Sequence, residues 1–202
     1  MFTLKDIERN LHNIPNMKRV IIFVFATLLT VPAFSQELSK KERKQLEKEL
    51  KKEQKAEKAA QQAAVVDAMV LYNKFVLEVN TLKDKRGNSI QVSSKINFIA
   101  SDSITGVIQV GSNTYIGRNG VGGVTVDGSI ADYKYTKNEK NGSYYITYYL
   151  RTPVGSYDVR ITAYSDGRAD ADVSSTTWGN RLRYSGYLVP PGISRVFKGS
   201  SL

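Results

Sequence analysis

The apolar pattern of this chain changes period after the turn cluster Asp84-Lys85-Arg86-Gly87-Asn88, and that change limits the fold more than any other feature. Upstream, apolar residues recur at three and four; downstream they recur at two. Runs rich in β-branched and aromatic residues follow at 89–92, 96–100, 105–110, 124–135, 143–150, 157–164, 169–173 and 181–189. Asn141-Gly142 and Asp166-Gly167 stand between such runs. These dipeptides tolerate the positive φ that a two-residue hairpin needs. Asp127-Gly128 interrupts another run, where glycine marks a bulge or a sharp bend. The expected fold is mainly β with an N-terminal helix: about eight antiparallel strands in roughly 115 residues. A small up-and-down barrel, lipocalin-like in form, removes the exposed edges; a two-sheet β-sandwich is the alternative.

The helix is read from residues 37–62, which hold nine basic residues and six glutamates and neither Gly nor Pro. Such residues favour helix, and Glu47/Lys51 is a mixed-sign pair at i,i+4. Leu46 and Leu50 alone make no coiled-coil seam, so a solvated stalk is expected over 36–62. Oligomerisation, or contact with an anionic surface, is the alternative use of such a helix. From Ala63 the sets Ala64, Ala68, Leu71, Phe75 and Val65, Met69, Tyr72, Val76, Val79 form a wide apolar face. One continuous helix over 38–79, about 60 Å long, is expected to dock on the β domain. The domain proper is then 63–202.

Residues 1–35 read as a processing segment. Met17-Lys18-Arg19 is a basic start, residues 20–31 are uncharged and mainly apolar, and Ala33-Phe34-Ser35 is a small-residue cleavage pattern. A mainly apolar run of twelve falls short of the roughly 20 apolar residues that span a bilayer. A signal peptide cleaved after Ser35 is expected, with the translation start at Met17 and residues 1–16 an upstream extension; an n-region lengthened by those sixteen residues is the alternative. The location is then periplasmic or secreted, with no transmembrane span after cleavage.

Cleavage also bounds the chemistry. The sequence has no cysteine, and its one histidine, His12, precedes the cleavage site. Disulfides, thiol nucleophiles, histidine bases and cysteine or histidine metal ligands are excluded from the mature chain. A Ser-Lys nucleophile would have to be built on Ser93-Ser94-Lys95, which lies between strand runs rather than ahead of a helix. Asp127, Asp132 and Asp158 are the candidates for a carboxylate pair, with turn and solvent-facing roles as the plainer reading. Asp166, Asp170 and Asp172 are the best oxygen-only cluster, but Arg168 intrudes and EF-hand spacing is missing. Glycines 111, 117, 120, 122 and 123 form no phosphate-binding fingerprint. No enzyme activity, cofactor or metal is expected. Losing four basic and two acidic residues with the leader takes the net charge from +10 to +8. The remaining cations are scattered, and export argues against nucleic acid as a partner.

A resemblance adds to this reading. Phe75-Val76-Leu77-Glu78, Arg86-Gly87, Val92-Ser93-Ser94 and Asn97-Phe98 are followed in order by Gly120-Val121-Gly122-Gly123-Val124-Thr125-Val126-Asp127-Gly128. Then come Tyr157-Asp158, Arg181-Leu182-Arg183-Tyr184-Ser185-Gly186 and Ser194-Arg195-Val196-Phe197. In this content and order the chain resembles domain-of-unknown-function family 4251, over about residues 65 to 199. The run beginning at Gly120 is the most specific piece. The resemblance implies an exported protein of Bacteroidetes-type bacteria, an envelope location and a β-rich fold. It implies no activity and brings no catalytic position with it.

The candidate ligand-binding residues are tyrosines: Tyr133, Tyr135, Tyr145, Tyr149, Tyr157 and Tyr184. Tyrosine offers an apolar body and a polar tip, suited to lipids, sugars or peptides. Core and cross-strand packing is their plainer role. Two functions are expected from these features. The first is non-enzymatic binding of an apolar or amphipathic envelope ligand. The second is a structural or protein-interaction module of the envelope acting through the charged helix. The implied partners are a lipid, a glycan or an envelope protein.

Overall fold

A computed structural model describes residues 40–112, 114, 119–176, 179 and 181–202. The expected signal peptide and upstream extension lie outside the described residues. The chain divides into two compact units, Met1–Lys48 and Glu49–Leu202. In the first, the described residues are the opening of helix α1 (Lys40–Leu71), all exposed. In the second, α1 stays exposed through Gln61, and burial then sets in at Val66, Met69 and Val70.

The helix does not reach Val79. Tyr72 N–H still donates to the Ala68 carbonyl and Asn73 N–H to that of Val70, but Asn73 has φ 51°. Asparagine tolerates this left-handed conformation, and it ends the helix. Residues beyond it form strand β1 (Lys74–Lys83). The expected continuation fails for a physical reason. β1 is buried on both faces near its start, at Phe75, Val76 and Leu77, so its apolar residues run together and fit a helical period by chance.

Eight further strands follow: β2 (Ser89–Gln91), β3 (Phe98–Asp102), β4 (Thr105–Val110), β5 (Val124–Asn138), β6 (Ser143–Thr152), β7 (Gly155–Ala163), β8 (Arg168–Ser175) and β9 (Arg181–Val189). From β3 to β9 each strand pairs antiparallel with the next. β1 pairs with β3 on one side and β9 on the other, so the sheet closes on itself. The result is an eight-stranded barrel of β1 and β3–β9, not a two-sheet sandwich. Short β2 is additional and pairs with the far end of β1. The turns fall at Asn-Gly and Asp-Gly, but the loops are 139–142 and 164–167, longer than two residues, with positive φ at Gly142 (68°) and Gly167 (84°) and not at Asn141 or Asp166.

Closure bends the strands at a few residues. The register of β1 against β9 shifts between Val79 and Thr81, and that of β5 against β6 between Ala131 and Lys134, where Asp132 has φ 54°. The bulge of β5 is therefore at Asp132, not at Gly128. Gly128 keeps its register opposite Gly106, and a Cβ there would collide with the Arg151 carbonyl. At Gly128 glycine allows close strand approach rather than an extra residue.

The core lies inside the barrel. On β6, Tyr144, Ile146, Tyr148 and Leu150 point inward, while Tyr145 and Tyr149 point out. Phe75, Leu77, Val79, Ile99, Val159, Ile161 and Leu188 join the same cluster, together with Val66, Met69 and Val70 of α1. The helix thus closes one end of the barrel. Polar contacts tie it there: Lys137 Nζ reaches Asp67 Oδ2 at 2.9 Å, and Tyr144 Oη donates to Asp67 Oδ1 at 2.9 Å. After a 3-10 turn (Pro191–Ile193), the C-terminal segment crosses the outside of β4 and β5. Phe197 N–H donates to Lys95 O and Leu202 N–H to Thr125 O, and buried Gln109 bonds Phe197 O and Gly199 N–H.

Candidate functional site: the unplugged end of the barrel

β5 runs from Val124 to the Asp67-bound Lys137, and β7 from the Gly155 turn to Ala163, which pairs with Tyr144. The starts of both strands therefore lie at the end away from α1. There the inward side chains of the described residues do not meet, and a cavity of about 240 Å³ remains between them. Ile108 and Val110 of β4 with Val124 and Val126 of β5 form one wall. Tyr157 of β7, Val173 and Ser175 of β8, and Leu182 and Tyr184 of β9 form the other. Val124 is 47% exposed, so the cavity reaches solvent.

The lining is apolar apart from two phenols and one hydroxyl. Burial pushes the Tyr184 phenol well above its ordinary range, and the Tyr157 phenol up by a lesser amount. Both stay neutral at physiological pH, and among the described residues no carboxylate or cation lines the chamber. It can exclude water from an apolar group and offer it hydroxyl partners at the edge; its described lining holds no acid–base pair.

The six tyrosines singled out from sequence fall in three places. Tyr157 and Tyr184 line the cavity. Tyr133 and Tyr135 stand at the plugged end. Tyr133 Oη donates to Val70 O at 2.8 Å, its ring lies 6.2 Å from Tyr148, and Tyr135 packs edge-on to Tyr144 at 6.0 Å. Tyr145 and Tyr149, 50% and 42% exposed, are on the outer face of β6. Strand alternation separates them from the interior, so the six do not form one lining.

The outer face carries a separate polar depression of about 500 Å³ that includes Tyr145, Arg160, Asp170, Asp172, Arg181 and Arg183. Its arginines are engaged with aspartates, while Lys83 of the same lining joins none of these pairs. Asp172 is held by Arg181, with Arg183 Nε at 3.5 Å, and Asp158 by Arg160 at 2.5 Å; Ser185 Oγ donates to Asp170 at 2.6 Å. The Arg181 guanidinium holds the Asp172 carboxyl below its usual range. Asp166 is paired with Arg168 at 2.7 Å, so the candidate aspartate cluster is engaged by arginines and a serine. Asp127 pairs with Lys198 at 2.5 Å, and Asp132 sits at the β5 bulge.

Sequence reasoning missed Ile108, Val110, Val124, Val126, Val173, Ser175 and Leu182. The available signal was side-chain size. Valine and serine occupy the inward positions at this end of β5 and β8, where Tyr144, Ile146 and Tyr148 fill the interior towards α1.

The domain of unknown function DUF4251 matches residues 57–188. This chain belongs to the DUF4251 family. A crystal structure of a DUF4251 family protein from Bacteroides eggerthii DSM 20697 is 30% identical in sequence, with a TM-score of 0.58. The match covers 70% of this chain and 95% of that one. The matched region includes every cavity-lining residue. No curated protein matches the chain.

Proposed function

We propose that this DUF4251 protein is a non-enzymatic binding protein of the cell envelope that takes the apolar part of an amphipathic ligand into the barrel end. The observation that carries this reading is the apolar chamber of about 240 Å³ opposite the plugging helix. An apolar cavity of about 150 Å³ stays dry and holds benzene, whereas sites for drug-sized molecules begin near 300 Å³. The chamber therefore suits one ring or a short alkyl segment, not a whole lipid. The leader pattern of residues 17–35 supports export, and a mature chain without Cys or His supports a role without covalent chemistry.

Native mass spectrometry on protein released gently from its source cells tests the proposal. A discrete added mass is expected, and it should be absent from Val124→Trp, which fills the mouth from an exposed position. A bare polypeptide mass in both, with no uptake of short alkyl compounds, contradicts it. A second reading has its own observation: residues 40–61 of α1 are exposed throughout and rich in both charge signs. In that reading the helix engages an envelope protein, and deleting 40–61 abolishes co-purification of the partner while leaving ligand uptake intact.

A further inference from the structure

The rim of the cavity has a chemistry that the chamber lacks. Leu182 lines the chamber and also a neighbouring depression of about 410 Å³, whose other lining residues are Asp84, Lys85, Arg86 and Arg181. Among the described residues, Asp84 is the one acid of this lining, and it keeps its charge beside Lys85 and Arg86. Asp84 accepts from Asn88 Nδ2 at 2.8 Å, Asn88 N–H at 2.9 Å and Arg86 N–H at 2.8 Å, so its carboxylate holds its own turn together. Arg181 is committed to Asp172. Lys85 and Arg86 are exposed and have no carboxylate partner among the described residues. Lys85 and Arg86 against the ionised Asp84 therefore leave a net single positive charge beside the wall of an apolar chamber.

We infer that the ligand is an anionic amphiphile, with a short alkyl chain in the chamber and a carboxylate or phosphate head at Lys85 and Arg86. This rests on reading the chamber as a binding site. A neutral head would gain hydrogen bonds from these two side chains but no charge attraction, and a cation would be repelled. An anion gains two charge-assisted contacts, which guanidinium and ammonium groups both supply. The head remains near solvent, so the preference is modest and is screened by salt.

Calorimetric titration of the folded protein with octanoate, octyl phosphate, 1-octanol and octylammonium tests the inference. The anions are expected to bind about fivefold tighter than octanol at low salt, and octylammonium weakest. The tighter of octanoate and octyl phosphate names the head. In Lys85→Glu/Arg86→Glu the anion preference disappears while octanol affinity stays within about twofold. Raising the salt to about 0.5 M removes the preference from the unsubstituted protein, and this arm decides the matter if the double variant fails to fold. Equal binding of all four compounds overturns the anionic head and leaves the chamber standing. Failure of all four to bind overturns the chamber itself.

Discussion

At Gly186, β9 passes so close to β1 that a Cβ would fall on the Glu78 carbonyl. Since that obstacle is backbone, it cannot move aside like a flexible side chain. Gly186→Ala should cost about 1–3 kcal/mol, read as a lower midpoint in chemical denaturation. An unchanged midpoint would mean that the strands separate there at no cost. Asp67 makes a different kind of contact. The Lys137 ammonium, aided by the Tyr144 hydroxyl, holds its carboxyl below the ordinary value of 3.8 against the opposing effect of burial. A carboxylate with a depressed folded value stabilises the fold above its unfolded pKa and loses that contribution as pH falls through the folded one. Both partners are over a third exposed, so Asp67→Asn should cost only about 1 kcal/mol or less at pH 7. The gap from the unsubstituted protein should close as pH drops below 3.8. A gap independent of pH would assign the cost to packing instead.

Among the elements, α1 has two parts with separate roles. Its charged part is exposed, and its last turns fill the barrel end with Val66, Met69 and Val70. Met69→Ala should therefore cost about 2–5 kcal/mol, whereas Leu50→Ala, at a 49% exposed position, should change stability by under about 0.5 kcal/mol. Similar effects at both sites would show that the helix end is not part of the core. The same element shows where the sequence could be read and where it could not. Period two and the Asn-Gly and Asp-Gly turns placed β3 to β9 within a few residues. β1 escaped because both its faces are buried, which erases alternation. Its one local sign was Asn73 after the last helical turn. The expected total of about eight strands agrees with the barrel only because unread β1 takes the place of β2.

For the whole molecule, closure of the sheet follows from pairing β1 with β9, residues a hundred or more positions apart. No local pattern specifies such a pairing, which is why barrel and sandwich both fitted the strand list. The cavity was hidden for a related reason. Alternation tells which side chains point inward but not whether those from opposite walls meet. Tyr157 and Tyr184 were legible as candidates, while the valine and leucine lining became visible only once the walls faced one another. The central claim is that this end of the barrel receives an apolar group. Methyl-resolved NMR during titration with 1-octanol tests it most directly. The account predicts saturable shifts at Ile108, Val110, Val126, Val173 and Leu182, with Leu188 beside the helix-plugged core unmoved. Shifts that never saturate, or that fall on exposed Leu46 and Leu50 instead, would contradict it.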